Sequence, residues 1–173
     1  MTESADAGLR NELVKWIPNL RAFALSLTQN VQHADDLVQD TLLKALSNLD
    51  KFQEGTNLRA WLFTILRNSF YNDIRYQKYH QTSPLEEVSS SSVEISATQE
   101  KYIEYKDVLK GLNGLVPEQR EAIILIAAEG LSYEEAAIVC GCPVGTVKSR
   151  LSRARQRLEE YINGEKALFE SVS

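Results

Sequence analysis

Apolar positions in this chain recur every three or four residues almost throughout, and no stretch shows the strict alternation of a β-strand. Leu9, Leu13, Trp16, Leu20, Phe23 and Leu27 are spaced for one buried stripe, although Pro18 breaks or restarts the helix near its middle. Ala34, Leu37, Val38, Thr41, Leu42, Ala45, Leu46 and Leu49 predict a second helix with a clean 3.6-residue period. Thr56 or Asn57 caps a third, with Leu58, Trp61, Leu62, Ile65, Leu66, Ser69 and Tyr76 facing inward. The C-terminal part predicts four shorter helices. Pro117 suits a first helical position, and Gly130 a stop. Ser132 with Glu135 three residues on forms a capping box. Gly141 sits in a turn, and a last helix runs from about Val144 to Ile162. The expected fold is all-α.

One segment breaks the pattern. Residues 81–99 contain eight Ser/Thr, three Glu, one Pro and no aromatic residue. Such a stretch buries too little apolar surface to offset its ordering entropy, so it predicts a flexible linker able to reach ~60 Å when extended. Two small helical domains result, over residues 1–80 and 100–173.

Composition then removes whole classes. The chain of 173 residues has a formal charge of −5, which argues against sequence-blind coating of nucleic acid or anionic membrane. Its longest apolar run, Ala122 to Ala128, has seven residues, far short of a membrane span. The acidic start, Met1 to Asp6, lacks an apolar signal core, so a cytoplasmic location is expected. Cys140 and Cys142, with His33 and His80, are the only thiols and imidazoles; they do not make a zinc site, and one intervening residue suits no unstrained disulfide. No Gly-rich phosphate loop or nucleophile elbow is present. No enzyme activity, metal or cofactor is expected.

Three faces remain as candidates for function. The first is cationic. Leu131 to Val139 is a short apolar helix, Cys140-Gly141-Cys142-Pro143 a tight turn, and Thr146 to Arg155 opens a longer helix. On that helix Val147, Leu151, Ala154 and Leu158 face the domain, while Thr146, Arg150, Arg153 and Arg157 share another face beside Lys148, Ser149 and Arg155. Five basic groups and no acid lie between Ala136 and Leu158. A short helix, a Gly-containing turn and a basic helix make a helix-turn-helix, whose second helix enters the DNA major groove. The helix macrodipole does not explain these charges, because they begin in the first turns, where it opposes them.

The other two faces are less specific. Asp36, Gln39, Asp40, Leu43 and Ser47 lie opposite the buried stripe of the second helix. They are either ordinary dipole partners or, with Leu43 among acids, a docking surface for a basic, partly apolar partner. On the third helix Asn68, Asn72, Arg75 and Tyr79 form a polar stripe, with Phe70, Tyr71, Tyr76, Arg67 and Lys78 around it. Aromatics with amides and guanidinium suit an unstacked single strand, but any amphipathic helix can carry such residues.

In this order the three faces resemble a known family. Ala34 to Thr41 resembles the helix by which bacterial sigma factors dock on core RNA polymerase. Phe52 to Phe63, followed by Arg67-Asn68, resembles the segment of that family that melts the promoter and reads its −10 element. Pro117 to Glu121, Leu131 to Ala137 and Gly145 to Arg150 resemble its −35-reading domain. The size is similar to the extracytoplasmic-function (ECF) group, and Phe52 to Asn57 and Cys140 to Arg150 most resemble its alphaproteobacterial general-stress subgroup, EcfG.

The resemblance implies core RNA polymerase and promoter DNA as partners. It implies docking through Asp36, Gln39, Asp40 and Leu43. A loop from Gln53 to Leu58 would capture a flipped −10 base, with Asn57, Arg59, Trp61, Asn68, Asn72 and Arg75 contacting that element. Thr146, Lys148, Ser149, Arg150, Arg153 and Arg155 would read the −35 duplex. It also implies an inhibitor, a small anti-sigma factor of the NepR type that a phosphorylated response regulator removes. Two alternatives stay open: a sigma-mimicking protein that sequesters such an inhibitor, and a LuxR-type regulator. The first would carry a receiver domain and the second a sensing or receiver module, and neither is visible. The net charge of −5 is compatible with DNA binding because it is sorted: basic on the last helix, acidic over Asp35 to Asp40 and Glu100 to Glu135.

Overall fold

The structure is a computed structural model that describes residues 3–53, 55–80 and 110–170, the side chains of 3–7, 80 and 165–170 excepted. Helices α1 (Glu3–Lys15), α2 (Ile17–Thr28), α3 (Val31–Ser47) and α4 (Leu58–His80) are followed by α5 (Pro117–Ile123), α6 (Tyr133–Cys140) and α7 (Val144–Glu170). No strand occurs among the described residues. The chain divides into two compact units, with α1–α4 in the first and α5, the body of α6 and α7 in the second. The linker expected over 81–99 lies outside the described residues.

Local chemistry places each helix end. Pro18 falls in the first turn of α2, where no intrahelical N–H is needed, so the single stripe is cut between Lys15 and Ile17. Gln29 then takes a left-handed conformation (φ 53°), and Asn30 caps α3, its Oδ1 accepting from the His33 N–H at 2.9 Å. Of the two candidate caps for α4, Asn57 serves: its Oδ1 accepts from the Ala60 N–H at 3.2 Å.

In the first unit α3 packs against both α2 and α4, and α2 also meets α4. Leu20, Phe23, Ala24, Leu37, Ala45, Leu62, Phe63 and Leu66 form the core, with Phe23 and Phe63 edge-to-face at 5.1 Å across α2 and α4. Such a ring pair contributes ~1 kcal/mol beyond its buried area. Two expected core positions are not core. Leu46 is 44% exposed, because no described helix covers its point on α3. Tyr76 is 67% exposed, and every described side chain from Arg75 to Tyr79 is exposed, so the end of α4 runs past its packing partners.

In the second unit α5 packs on α7, and Leu125, Val147, Leu151 and Ala154 are buried. The helix begun at Pro117 widens into a π-helical turn over Ile124–Ala128 before ending at Gly130 (φ 63°), where the Leu131 N–H donates to the Leu125 carbonyl at 2.9 Å. Ser132 and Glu135 exchange the two bonds of a capping box, at 2.8 and 3.1 Å. The turn between α6 and α7 is a second glycine stop. Gly141 (φ 60°) lets the Cys142 N–H reach back to the Ala137 carbonyl at 3.1 Å.

Candidate functional site

On α3, Asp36 and Gln39 are exposed, Asp40 is half-exposed, and Leu43 stands 65% exposed among them. Leu46 extends this face by one turn, giving two exposed leucines three residues apart. The 3.6-residue pattern assigned Leu46 inward, so only the packing reveals it. Asp35 turns the other way. Its carboxylate accepts from Arg21 Nε at 2.6 Å and Nη2 at 3.3 Å, tying α3 to α2. The hydrogen-bonded Arg21 guanidinium holds the Asp35 carboxyl below the usual carboxylate range, and Asp35 raises Arg21 in return. The acids over 35–40 thus split into Asp35, tied to α2, and Asp36 and Asp40, which stay on the α3 face.

Leading into α4, Gln53, Gly55, Thr56 and Asn57 are exposed, and Gly55 has φ 86°. The Thr56 hydroxyl donates to the Gln53 carbonyl at 2.7 Å, closing the loop on itself. Behind it Trp61 packs on Phe52 at 5.3 Å, half-buried, and the Arg59 guanidinium lies 5.2 Å from the Trp16 ring. Phe52 and Trp61, in contact with each other, thus bracket the loop on either side in the chain. Farther along α4, Asn68, Asn72, Arg75 and Tyr79 are all exposed on one stripe, Tyr79 at 92%, and Arg75 bonds Asn72 at 3.5 Å. Arg67 sits over the Tyr71 ring at 4.5 Å, and that ring meets buried Phe70 at 5.2 Å. Exposed amides, guanidinium and phenol rings on one helix face suit unpaired bases.

On α7, Lys148, Ser149, Arg153, Arg155 and Arg157 are exposed, Thr146 and Arg150 half-exposed, and Val147, Leu151 and Ala154 buried beneath them. The expected division of this helix into an inward apolar and an outward basic face is present, with Leu158, the last inward position, half-buried. Arg150 Nη1 donates to Cys142 Sγ at 3.6 Å, and Lys148 lies 5.3 Å from the Tyr133 ring of α6. Both cations are held near the start of the helix, where a major groove would meet them.

Arg120 was grouped by resemblance with the −35-reading domain, yet it makes a different contribution. It is buried, and its guanidinium donates to the carbonyls of Leu112, Asn113 and Leu115 at 2.8, 3.1 and 2.9 Å. The helix covering residues 110–113 ends there, so Arg120 supplies donors to carbonyls at and just past its last turn, where the Leu112 carbonyl also accepts from the Leu115 N–H at 3.1 Å. Nothing in periodicity marks an Arg as a cap for a neighbouring segment.

A helix-turn-helix unit with a basic second helix, in one chain with a separate helical unit that carries an aromatic and amide stripe, has the parts of a promoter-binding protein. Residues 13–79 match the family description Sigma-70 region 2, and residues 105–158 match Sigma-70, region 4. The chain is 46% identical over 158 residues to ECF RNA polymerase sigma factor EcfG of Rhodopseudomonas palustris, covering 90% of this chain and 87% of that protein. It is 34% identical over 129 residues to ECF RNA polymerase sigma factor SigC of Mycobacterium tuberculosis, covering 75% and 70%. Among solved structures it is similar to the sigma factor RpoE in complex with the anti-sigma factor NepR from Bartonella quintana. That match has a TM-score of 0.76 and 46% identity, over 90% of this chain and 97% of that one. The chain belongs to the ECF sigma factors of bacterial RNA polymerase. As a sigma factor it binds core RNA polymerase and directs promoter-specific initiation, and its family is not a class of enzymes. No helix among the described residues is long and apolar enough to cross a membrane.

Proposed function

We propose that this sigma factor serves the general stress response and is held inactive by a small NepR-like anti-sigma factor. The observation that carries this is the joint likeness, at 46% identity in each case, to an EcfG protein and to a sigma factor crystallised with NepR. Within it, a domain over residues 1–80 docks on polymerase and melts the −10 element, residues 81–99 form a flexible tether, and a domain over 100–173 reads the −35 element. Docking uses Asp36, Gln39, Asp40 and Leu43, extended by Leu46, an exposed acidic and apolar strip suited to a basic, partly apolar surface. Asn57, Arg59, Trp61, Asn68, Asn72 and Arg75 act on the −10 element, and Thr146, Lys148, Ser149, Arg150, Arg153 and Arg155 on the −35 duplex. Flipping a base out of the −10 duplex costs a few kcal/mol, which contacts along α4 and its leading loop return. The protein works in the cytoplasm and has no catalytic activity of its own; the polymerase performs the chemistry.

The test is transcription in vitro with core polymerase on genomic DNA, with and without a NepR-like protein. Promoter-dependent transcripts that the inhibitor silences are expected; their absence, or indifference to the inhibitor, would sink the respective half of the reading. The double variant Asp40→Lys with Leu43→Ala should lose core binding while the basic face of α7 keeps its duplex preference. Unchanged core affinity in that variant removes the docking assignment.

A further inference from the structure

Lys44 stands in the last turn of α3 and touches two surfaces at once. Its Nζ lies 2.6 Å from Asp40 Oδ2 on the same helix and donates to Ser69 Oγ of α4 at 2.8 Å. Asp40 belongs to the acidic and apolar strip of α3. Ser69 is the neighbour of Asn68, the first residue of the polar stripe on α4. One ammonium therefore joins the strip on α3 to the buried side of α4, one residue from the stripe.

The two bonds are not equivalent. Asp40 and Lys44 form an i,i+4 pair with both side chains nearly half exposed, and such pairs contribute little by themselves. Ser69 is 2% exposed, so its hydroxyl is out of reach of bulk water, and Lys44 satisfies it. A buried hydroxyl deprived of its partner is unfavourable, which makes this bond a polar tie between α3 and α4 added to their apolar packing.

We infer that Lys44 is a positioning residue that couples polymerase docking on α3 to the setting of the −10-reading stripe on α4. The inference rests on the assignment of those two faces made above. A basic partner that draws Asp40 away leaves the ammonium to Ser69 alone, and the tie to α4 strengthens. By linkage, a strand bound along α4 strengthens docking by the same factor.

The test uses the full chain, core RNA polymerase, and a promoter fragment mapped from transcripts that the wild-type holoenzyme starts on genomic DNA. Core affinity is read without DNA from the anisotropy of labelled sigma chain. Opening is read at saturating core from permanganate reactivity of the −10 thymines. Lys44→Met, which keeps the aliphatic stem, should reduce opening about tenfold with no fall in DNA-free core affinity, the scale of one charge-assisted hydrogen bond. Ser69→Ala should give a similar loss, and the double variant no more than either single change, because both remove one bond. Lys44→Arg keeps a cation within reach of both partners and should restore most of the opening. The inference is overturned by wild-type opening in Lys44→Met, by equal loss of core affinity and opening, or by additive losses in the double variant. Tryptophan fluorescence melts show whether a variant is folded; if Lys44→Met is not, the Ser69→Ala and Lys44→Arg pair decides. Failure of the docking assignment shows separately, as intact core binding in the Asp40 and Leu43 double variant.

Discussion

The two long helices proposed to read the promoter are built oppositely. On α7 the outward face is cationic, with Lys148, Arg153, Arg155 and Arg157 exposed over a buried row of Val147, Leu151 and Ala154. On α4 the outward face is amide and aromatic, and its final turns from Arg75 to Tyr79 are exposed on every side. A duplex offers a regular lattice of phosphates and base edges, which fixed cations on a braced helix can match. A melted strand offers π-faces and unpaired edges, which stacking rings and amides match with little charge. The bracing differs as well: α7 rests on a unit whose turns are closed by glycine stops and by Arg120, while α4 ends beyond its packing partners. On the proposed reading an acidic chain reads DNA twice, once by charge and once by stacking.

The largest expected effect breaks the bracing of one helix and spares the other. Arg120→Ala removes a buried side chain and takes the guanidinium from the carbonyls of Leu112, Asn113 and Leu115, of which the Leu115 bond is buried, and about 2 to 3 kcal/mol of stability should be lost from the second unit. Both tryptophans, Trp16 and Trp61, lie in the first unit, so urea unfolding followed by their fluorescence should be unchanged while the far-ultraviolet circular dichroism transition moves to lower urea. Coincident shifts in both signals would mean that the two units do not unfold separately.

A middle-sized effect sharpens the contrast between charge and stacking. Arg150→Ala should cost about 1–3 kcal/mol in −35 duplex binding by the holoenzyme and flatten its dependence on salt. Tyr79→Ala should cost about 1–3 kcal/mol in binding of the melted −10 strand and leave the salt slope alone. Both are read by filter binding over a salt series, and equal slope changes for the two would erase the distinction.

The smallest effect concerns the tie between α2 and α3. Asp35 has its pKa depressed by Arg21, so the stability it contributes is present above the unfolded value of about 3.9 and is lost as pH falls through the lower folded value. Asp35→Asn should therefore melt slightly below wild type at neutral pH, and the gap should close below about pH 4. A gap that persists in acid would assign the loss to packing instead of charge.

Much of this was legible beforehand because it is local. Pro18, Asn57, Ser132 with Glu135, and Gly141 act within a few residues of themselves, so their effects follow from spacing and the chemistry of helix ends. The basic face of α7 was legible for a related reason: its opposite, apolar face is continuous, so inward and outward are both marked. The strip on α3 was half legible. Leu43 stood out among acids, whereas Leu46 belonged to an apolar row that continues past the helices covering it.

The sequence by itself determined the helices, their caps, the helix-turn-helix and the sorting of charge, since each depends on neighbours within a turn or two. Tertiary structure alone decided that Leu46 and Tyr76 face water, that Arg120 caps a neighbouring segment, and that Lys44 reaches Ser69 across two helices. Periodicity states which residues share a face. Whether a face is covered, and by which atoms, depends on where another helix ends, and that distance is set by packing between segments far apart in the chain.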